Sequence, residues 1–185
     1  MMKKTIMAVA TMLAIGAGTA GQSHAFQVGG LARQLDVEAA RAPAPLQMQL
    51  FCLQHPKECK PSKAKVVTYS PRIEKIIRSV NASVNREITP TREKRDIWSV
   101  NVKKGDCDDY VMTKRQRLIR AGIPSSALRI AVVRTRMGEG HAVLIVKTTE
   151  GDFVLDNLRK SIVKRNVTGY QYVSVSSGNP LKWTR

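Results

Sequence analysis

The spacing of apolar residues changes once along this chain, and that change limits the fold more than any other feature. Across residues 71–87 the apolar residues recur with helical spacing: Ile73, Ile76, Ile77, Val80 and Val84, with Ile88 just beyond. Such a stripe predicts a helix with one buried face. Ser70-Pro71 supplies an N-cap and a proline at the first helical position. A second helix is predicted over residues 107–121, with Asp106 as its cap and Asp109 three residues later as the partner of a capping box. Val111, Met112, Leu118 and Ile119 would face the core. Lys114, Arg115, Arg117 and Arg120 lie toward its C-terminal end, where the helix dipole favours cations. Gly122 and Pro124 stop it. From there the pattern is that of strands, at residues 128–134, 141–147, 152–156 and 170–175. A glycine-containing loop (135–140) joins the first two and Thr148-Thr149-Glu150-Gly151 the next. Helices first and an antiparallel sheet afterwards predict an α+β domain. Residues 26–48 read as irregular or weakly helical because Pro43 and Pro45 interrupt them, and residues 89–104 read as a charged connection carrying Trp98.

The first 25 residues have the layout of a secretory signal peptide. Lys3 and Lys4 form a basic start, Ile6 to Ala17 is apolar but too short to span a bilayer, and Ser23-His24-Ala25 offers a cleavage site. No later segment is apolar for long enough to span. Residues 26–185 then make one domain of ordinary size. Without Lys3 and Lys4, the only charged residues before Phe26, the formal charge falls from +17 to +15. Such a field attracts anionic surfaces and acidic partners. No nucleic-acid-binding motif accompanies it, so it is read as a solvated basic surface that includes Lys57, Lys60, Lys63, Lys65, Lys114 and Arg115.

Export also decides how the three cysteines are read. In an oxidising compartment thiols tend to pair, and Cys52 and Cys59 flank a short loop containing Pro56. Pairing them leaves Cys107, either for an intermolecular bridge or as a reactive group. A cysteine attacks as thiolate, and a helix N-terminus or a neighbouring imidazolium favours that form. Cys107 sits in the first turn of its predicted helix, within Lys103-Lys104-Gly105-Asp106-Cys107-Asp108-Asp109, which is too polar for a core. Strand geometry supplies its partners. If residues 148–151 form a four-residue hairpin loop, Lys147 pairs with Asp152 and Val143 lies opposite Asp156. His141 then shares the face of Asp156 as a diagonal neighbour, roughly 7–8 Å away at the backbone and within side-chain reach. A carboxylate so placed can hold an imidazole in the tautomer that a catalytic triad needs.

These segments together resemble a known family. Gly105-Asp106-Cys107-Asp108-Asp109-Tyr110, Leu118-Ile119-Arg120-Ala121-Gly122, Gly138-Glu139-Gly140-His141-Ala142-Val143-Leu144 and Val154-Leu155-Asp156-Asn157-Leu158 look like the bacterial transglutaminase-like cysteine proteinases. The resemblance covers residues 85–160. It implies a papain-like, transglutaminase-like fold, with an N-terminal helical lobe carrying the cysteine and a C-terminal antiparallel sheet carrying the histidine and aspartate. It carries the catalytic roles onto Cys107, His141 and Asp156 but does not transfer the substrate, for which the expectation is a periplasmic or surface protein, an adhesin being one candidate. Asp106, Asp108 and Asp109 crowd the cysteine with like charge, which would raise its pKa. A hard cation would relieve that crowding. Family members bind calcium through acidic residues flanking the cysteine, and the resemblance carries that role onto these three; the competing reading is capping without metal. The expectation is therefore an exported cysteine protease working through a thioester. Acyl transfer from glutamine to an amine with the same triad, and a non-catalytic basic binding module, are the alternatives. Zinc at Cys107 and His141 is disfavoured, since no Cys-x-x-Cys or His-x-x-x-His spacing is present.

Overall fold

The computed structural model describes residues 41–92 and 96–185. The segment read as a signal peptide lies outside the described residues. In chain order the elements are strand β1 (Arg41–Pro43), helices α1 (Leu46–Gln54) and α2 (Pro71–Glu87), strands β2 (Thr89–Pro90) and β3 (Lys104–Gly105), and helix α3 (Cys107–Arg120). Strands β4 (Leu128–Arg134), β5 (Gly140–Thr148), β6 (Gly151–Leu155), β7 (Val163–Lys164), β8 (Gln171–Ser176) and β9 (Lys182–Thr184) complete it. Seven strands form one antiparallel sheet in the order β1-β9-β8-β4-β5-β6-β7, while β2 and β3 make a small parallel pair. The fold is thus α+β, as the order of periodicities predicts. Among the described residues no helix is long and apolar enough to cross a membrane.

Local chemistry sets the element boundaries. The Ser70 hydroxyl accepts the Ile73 N–H at 3.3 Å, Pro71 opens α2, and Ile77 and Val84 are buried beneath it. The β5–β6 hairpin has the register deduced from loop length, with Lys147 opposite Asp152 and Thr148 opposite Gly151, whose φ of 105° closes the turn. The ladder runs to Leu144 opposite Leu155. The next rung therefore aligns Val143 with Asp156.

Three readings need correction. Residues 41–54 are ordered as β1 and α1. Pro43 is tolerated because β1 is an edge strand, where a missing N–H breaks no ladder on the open side, and Pro45 stands at the N-cap of α1. The connection after α2 contains the β2–β3 pair and buries Trp98. Lys114 and Arg115, read as solvated, are each 1% exposed. Helix α3 is enclosed, so every residue from 109 to 116 is buried and no polar face survives. The Arg115 guanidinium donates to the Glu58 carbonyl at 2.6 Å, Asn101 binds both Thr113 and Gln116, and the Tyr110 hydroxyl donates to the Ile88 carbonyl.

Helices and sheet share one core, in which Met48, Ile77, Met112, Leu118, Ile130, Leu144 and Trp183 pack together. The opposite sheet face has a smaller core of Ala131, Val133, Val143, Ile145 and Val154, against which Tyr170 and Tyr172 pack. α3 packs on both α2 and β5. That packing holds the start of α3 beside the start of β5.

Candidate active site

The Cys52–Cys59 disulfide is formed, and Cys107 is the free thiol. Its position is fixed by the cap of α3. Asp106 accepts the Asp108 N–H at 3.2 Å, and Asp109 accepts the Asp106 N–H at 3.3 Å, completing the capping box. Asp109 is fully buried and also accepts the Ser99 N–H at 2.8 Å. Gly105 leaves room for this carboxylate, because a Cβ there would overlap Asp109.

Cys107 is half-buried and packs against the main core, which is less polar than its sequence surroundings suggest. Burial above all, then the charges of Asp108 and Asp106, push its thiol up to about 12, although the Ala142 and Cys107 backbone N–H groups work in the other direction. The helix N-terminus alone therefore does not make this cysteine a thiolate. The Ala142 contact ties the sulfur to the strand that carries His141.

His141 and Asp156 are brought together directly. The His141 Nε2 lies 2.9 Å from Asp156 Oδ1, with both side chains buried. Burial works to raise the Asp156 carboxyl, but bonds from His141, Tyr170 and the Leu158 N–H outweigh it and hold the carboxyl below its ordinary value. An ionised carboxylate only accepts hydrogen bonds. Nε2 therefore carries the proton and Nδ1 is left as the basic nitrogen. The loop after Asp156 is anchored to α2, where the Asn85 side-chain amide donates to the Asp156 carbonyl at 2.9 Å and the Arg159 carbonyl at 3.2 Å.

The three acidic candidates separate. Ligand atoms of Asp106, Cys107 and Asp108 lie within 4.8 Å of one another, whereas Asp109 is turned inward into the capping box. Asp96 joins the outer group, hydrogen-bonding the Asp108 carboxyl while accepting the Trp98 indole N–H at 3.1 Å. Burial, then the charges of Asp106 and Asp96, push the Asp108 carboxyl up to about 7. Two carboxyl groups in hydrogen-bond contact must share a proton or a cation. The two carboxylates of the 4.8 Å group are hard oxygen donors of the kind calcium takes, whereas its third member, the Cys107 sulfur, is not.

The model of the family described as bacterial transglutaminase-like cysteine proteinase (BTLCP) matches residues 38–185. The chain belongs to that family. Among solved structures, LapG of Legionella pneumophila is similar in three forms. LapG as such and its calcium-bound form each match at 24% identity and a TM-score of 0.52, over 58% of this chain and 66% of that one. The EGTA-treated form matches at 24% identity and a TM-score of 0.51, over 58% and 64%. This chain thus spans less than two thirds of the LapG chains, and the likeness is one of fold. A comparison with curated proteins gives no match.

Sequence reasoning did not single out Asn85, Asp96, Arg159 or Tyr170. Asn85 carried a readable signal, since it lies four residues after Asn81 on the buried side of a periodic helix. The other three reach the site from loops whose paths no local pattern reveals.

Proposed function

We propose that the chain is an exported cysteine protease in which Cys107 is the nucleophile, His141 the general base and Asp156 the residue that orients it. The observation that carries this reading is the buried His141–Asp156 pair on the strand whose next residue, Ala142, bonds the Cys107 sulfur. In the reaction, His141 Nδ1 takes the thiol proton as sulfur attacks the carbonyl carbon of the scissile bond. The imidazolium that forms is stabilised by Asp156. The proton passes to the departing amine, the C–N bond breaks, and a thioester remains on Cys107. Water attacks the thioester, giving its proton to His141, and the acid product leaves as the thiol is restored. The Cys107 backbone N–H at the start of α3 is the natural donor to the oxyanion.

Asp106 and Asp108, with Asp96, are the proposed calcium ligands, and Asp109 holds their loop from inside. Bound calcium would offset the carboxylate charge that raises the Cys107 thiol. The calcium-bound and EGTA-treated forms of the Legionella protein support the choice of metal. The substrate class is a periplasmic or surface protein, in keeping with the signal-peptide layout of residues 1–25; an adhesin would satisfy it. Mass spectrometry of protein N-termini tests the function, using exported proteins incubated with the enzyme in calcium and a labelled primary amine. New N-termini with the wild type and none with Cys107→Ala are expected. Amine incorporation at glutamine without new N-termini would replace hydrolysis with acyl transfer, and neither product would leave only a binding role.

A further inference from the structure

Asp156 presents two oxygens, and the triad uses one of them. Oδ1 faces His141 Nε2 and also accepts the Leu158 N–H at 2.9 Å. Oδ2 accepts the Tyr170 hydroxyl at 2.7 Å. The same tyrosine ring stands edge-on to the imidazole, with centroids 5.9 Å apart and planes at 81°. Its position is specified locally. Gly169 has a φ of 71°, where the space of a Cβ is filled by the Arg136 side chain, and the Thr168 hydroxyl accepts the Tyr170 N–H at 3.3 Å. Arg159 lies 5.3 Å from the ring centroid, with its guanidinium anchored on the Thr168 carbonyl at 2.8 Å. Its Nε donates to the Tyr170 hydroxyl at 3.5 Å and is ion-paired with Asp156 Oδ2 at 3.6 Å, so Tyr170 makes the closer contact with the carboxylate.

We infer that Tyr170 is a positioning residue, whose hydroxyl fixes the plane of the Asp156 carboxylate while its ring limits rotation of the His141 imidazole. The chemistry suits that role. A buried carboxylate whose Oδ2 kept only the 3.6 Å ion pair with Arg159 could turn about its side-chain bond and lose its aim at Nε2. The Tyr170 hydroxyl supplies the close, directional bond at 2.7 Å, while the Arg159 guanidinium, ion-paired with Oδ2 at the longer 3.6 Å, leaves the geometry of the carboxylate to the hydroxyl. Hydrogen bonds to charged groups are among the stronger ones in proteins. The inference rests on the triad reading, and the experiment separates the two.

The probes are the downfield proton NMR signal of the His141 Nε2–H and the rate at which iodoacetamide alkylates Cys107, both in calcium buffer. Wild type, Tyr170→Phe, Asp156→Asn and the double variant are compared. Phenylalanine keeps the ring that packs on His141 and Arg159, and thermal melting checks that each variant folds. Tyr170→Phe should broaden or shift the Nε2–H signal and slow alkylation about tenfold, the scale of a charged hydrogen bond. The double variant should be no slower than Asp156→Asn alone, because the hydroxyl acts only through that carboxylate. If Asp156→Asn is slow while Tyr170→Phe keeps the wild-type signal and rate, or if the two losses multiply, the role of Tyr170 is overturned and the triad stands. If Asp156→Asn reacts at the wild-type rate, the triad reading falls and Tyr170 falls with it.

Discussion

Replacing Lys114 with methionine should stabilise this protein, and more so at neutral than at alkaline pH. Lys114 is 1% exposed in the enclosed stretch 109–116 of α3, with its ammonium 5.7 Å from the Tyr110 ring centroid. Burial, opposed in part by the charge of Asp156, brings its pKa down from 10.5 to about 7. The folded-state pKa is therefore depressed below the unfolded value. Between pH 7 and about 10 the unfolded chain binds more protons at this residue, so stability rises with pH across that window. Integrating from pH 7 to 9 gives about 2 kcal/mol, taking 1.36 kcal/mol per pKa unit. Methionine keeps the length and apolar stem of lysine without the charge. Urea unfolding at both pH values measures the effect. Between pH 7 and 9 the wild type should gain about 2 kcal/mol relative to the variant, the raised Asp108 and Cys107 groups acting equally on both, and at pH 7 the variant should be the more stable. Equal slopes, or a variant destabilised at both pH values, would refute the reasoning and mean that Lys114 is held as a paired cation.

Three further outcomes follow from the site. Asp156→Asn should leave the fold intact but slow turnover of any peptide the wild type cleaves, on the order of 10⁴-fold as in serine-protease triads with a misoriented histidine; a variant with wild-type kcat would mean another group orients His141. Gly105→Ala should lower stability by about 2 kcal/mol and cut activity, because a Cβ there would lie 2.8 Å from Asp109 Cβ and break the capping box behind Cys107; an unchanged urea midpoint would show that the loop yields freely. Calcium should raise the melting temperature, by the equivalent of about 2.7 kcal/mol at a hundredfold excess over Kd, and Asp108→Asn should abolish most of that gain. No calcium heat on titrating chelator-stripped protein would leave Asp106 as a helix cap only.

Much of the scaffold could be read from local patterns. The limits of α2 follow from Ser70-Pro71 and an unbroken apolar stripe. The capping box around Cys107 follows from two aspartates three residues apart, and the His141–Asp156 pairing from the length of one hairpin loop. Each of these is decided within about twenty residues. What escaped reading depends on distant chain. β1 is a strand only because Lys182–Thr184 lies beside it. Lys114 and Arg115 are buried because that stretch of α3 is covered on all sides, which an amphipathic pattern cannot express. Tyr170 reaches Asp156 across a loop of irregular path, and Asp96 reaches Asp108 from the connection before α3. That the flanking carboxylates raise the Cys107 pKa follows from the sequence, but the larger cause, burial, does not. The polar residues near it in sequence do not solvate it in space, and the carboxylates among them oppose its ionisation.

The central claim is that His141 activates Cys107, and alkylation kinetics test it most directly. Iodoacetamide labelling at neutral pH in calcium buffer, followed by peptide mass spectrometry, gives the rate at Cys107 while the Cys52–Cys59 disulfide stays unmodified. Wild type should react rapidly at Cys107, and His141→Ala, compared at a temperature where melting curves show both proteins folded, should be slower by at least tenfold. Equal rates for the two proteins would contradict the claim, because the thiol would then owe nothing to the imidazole.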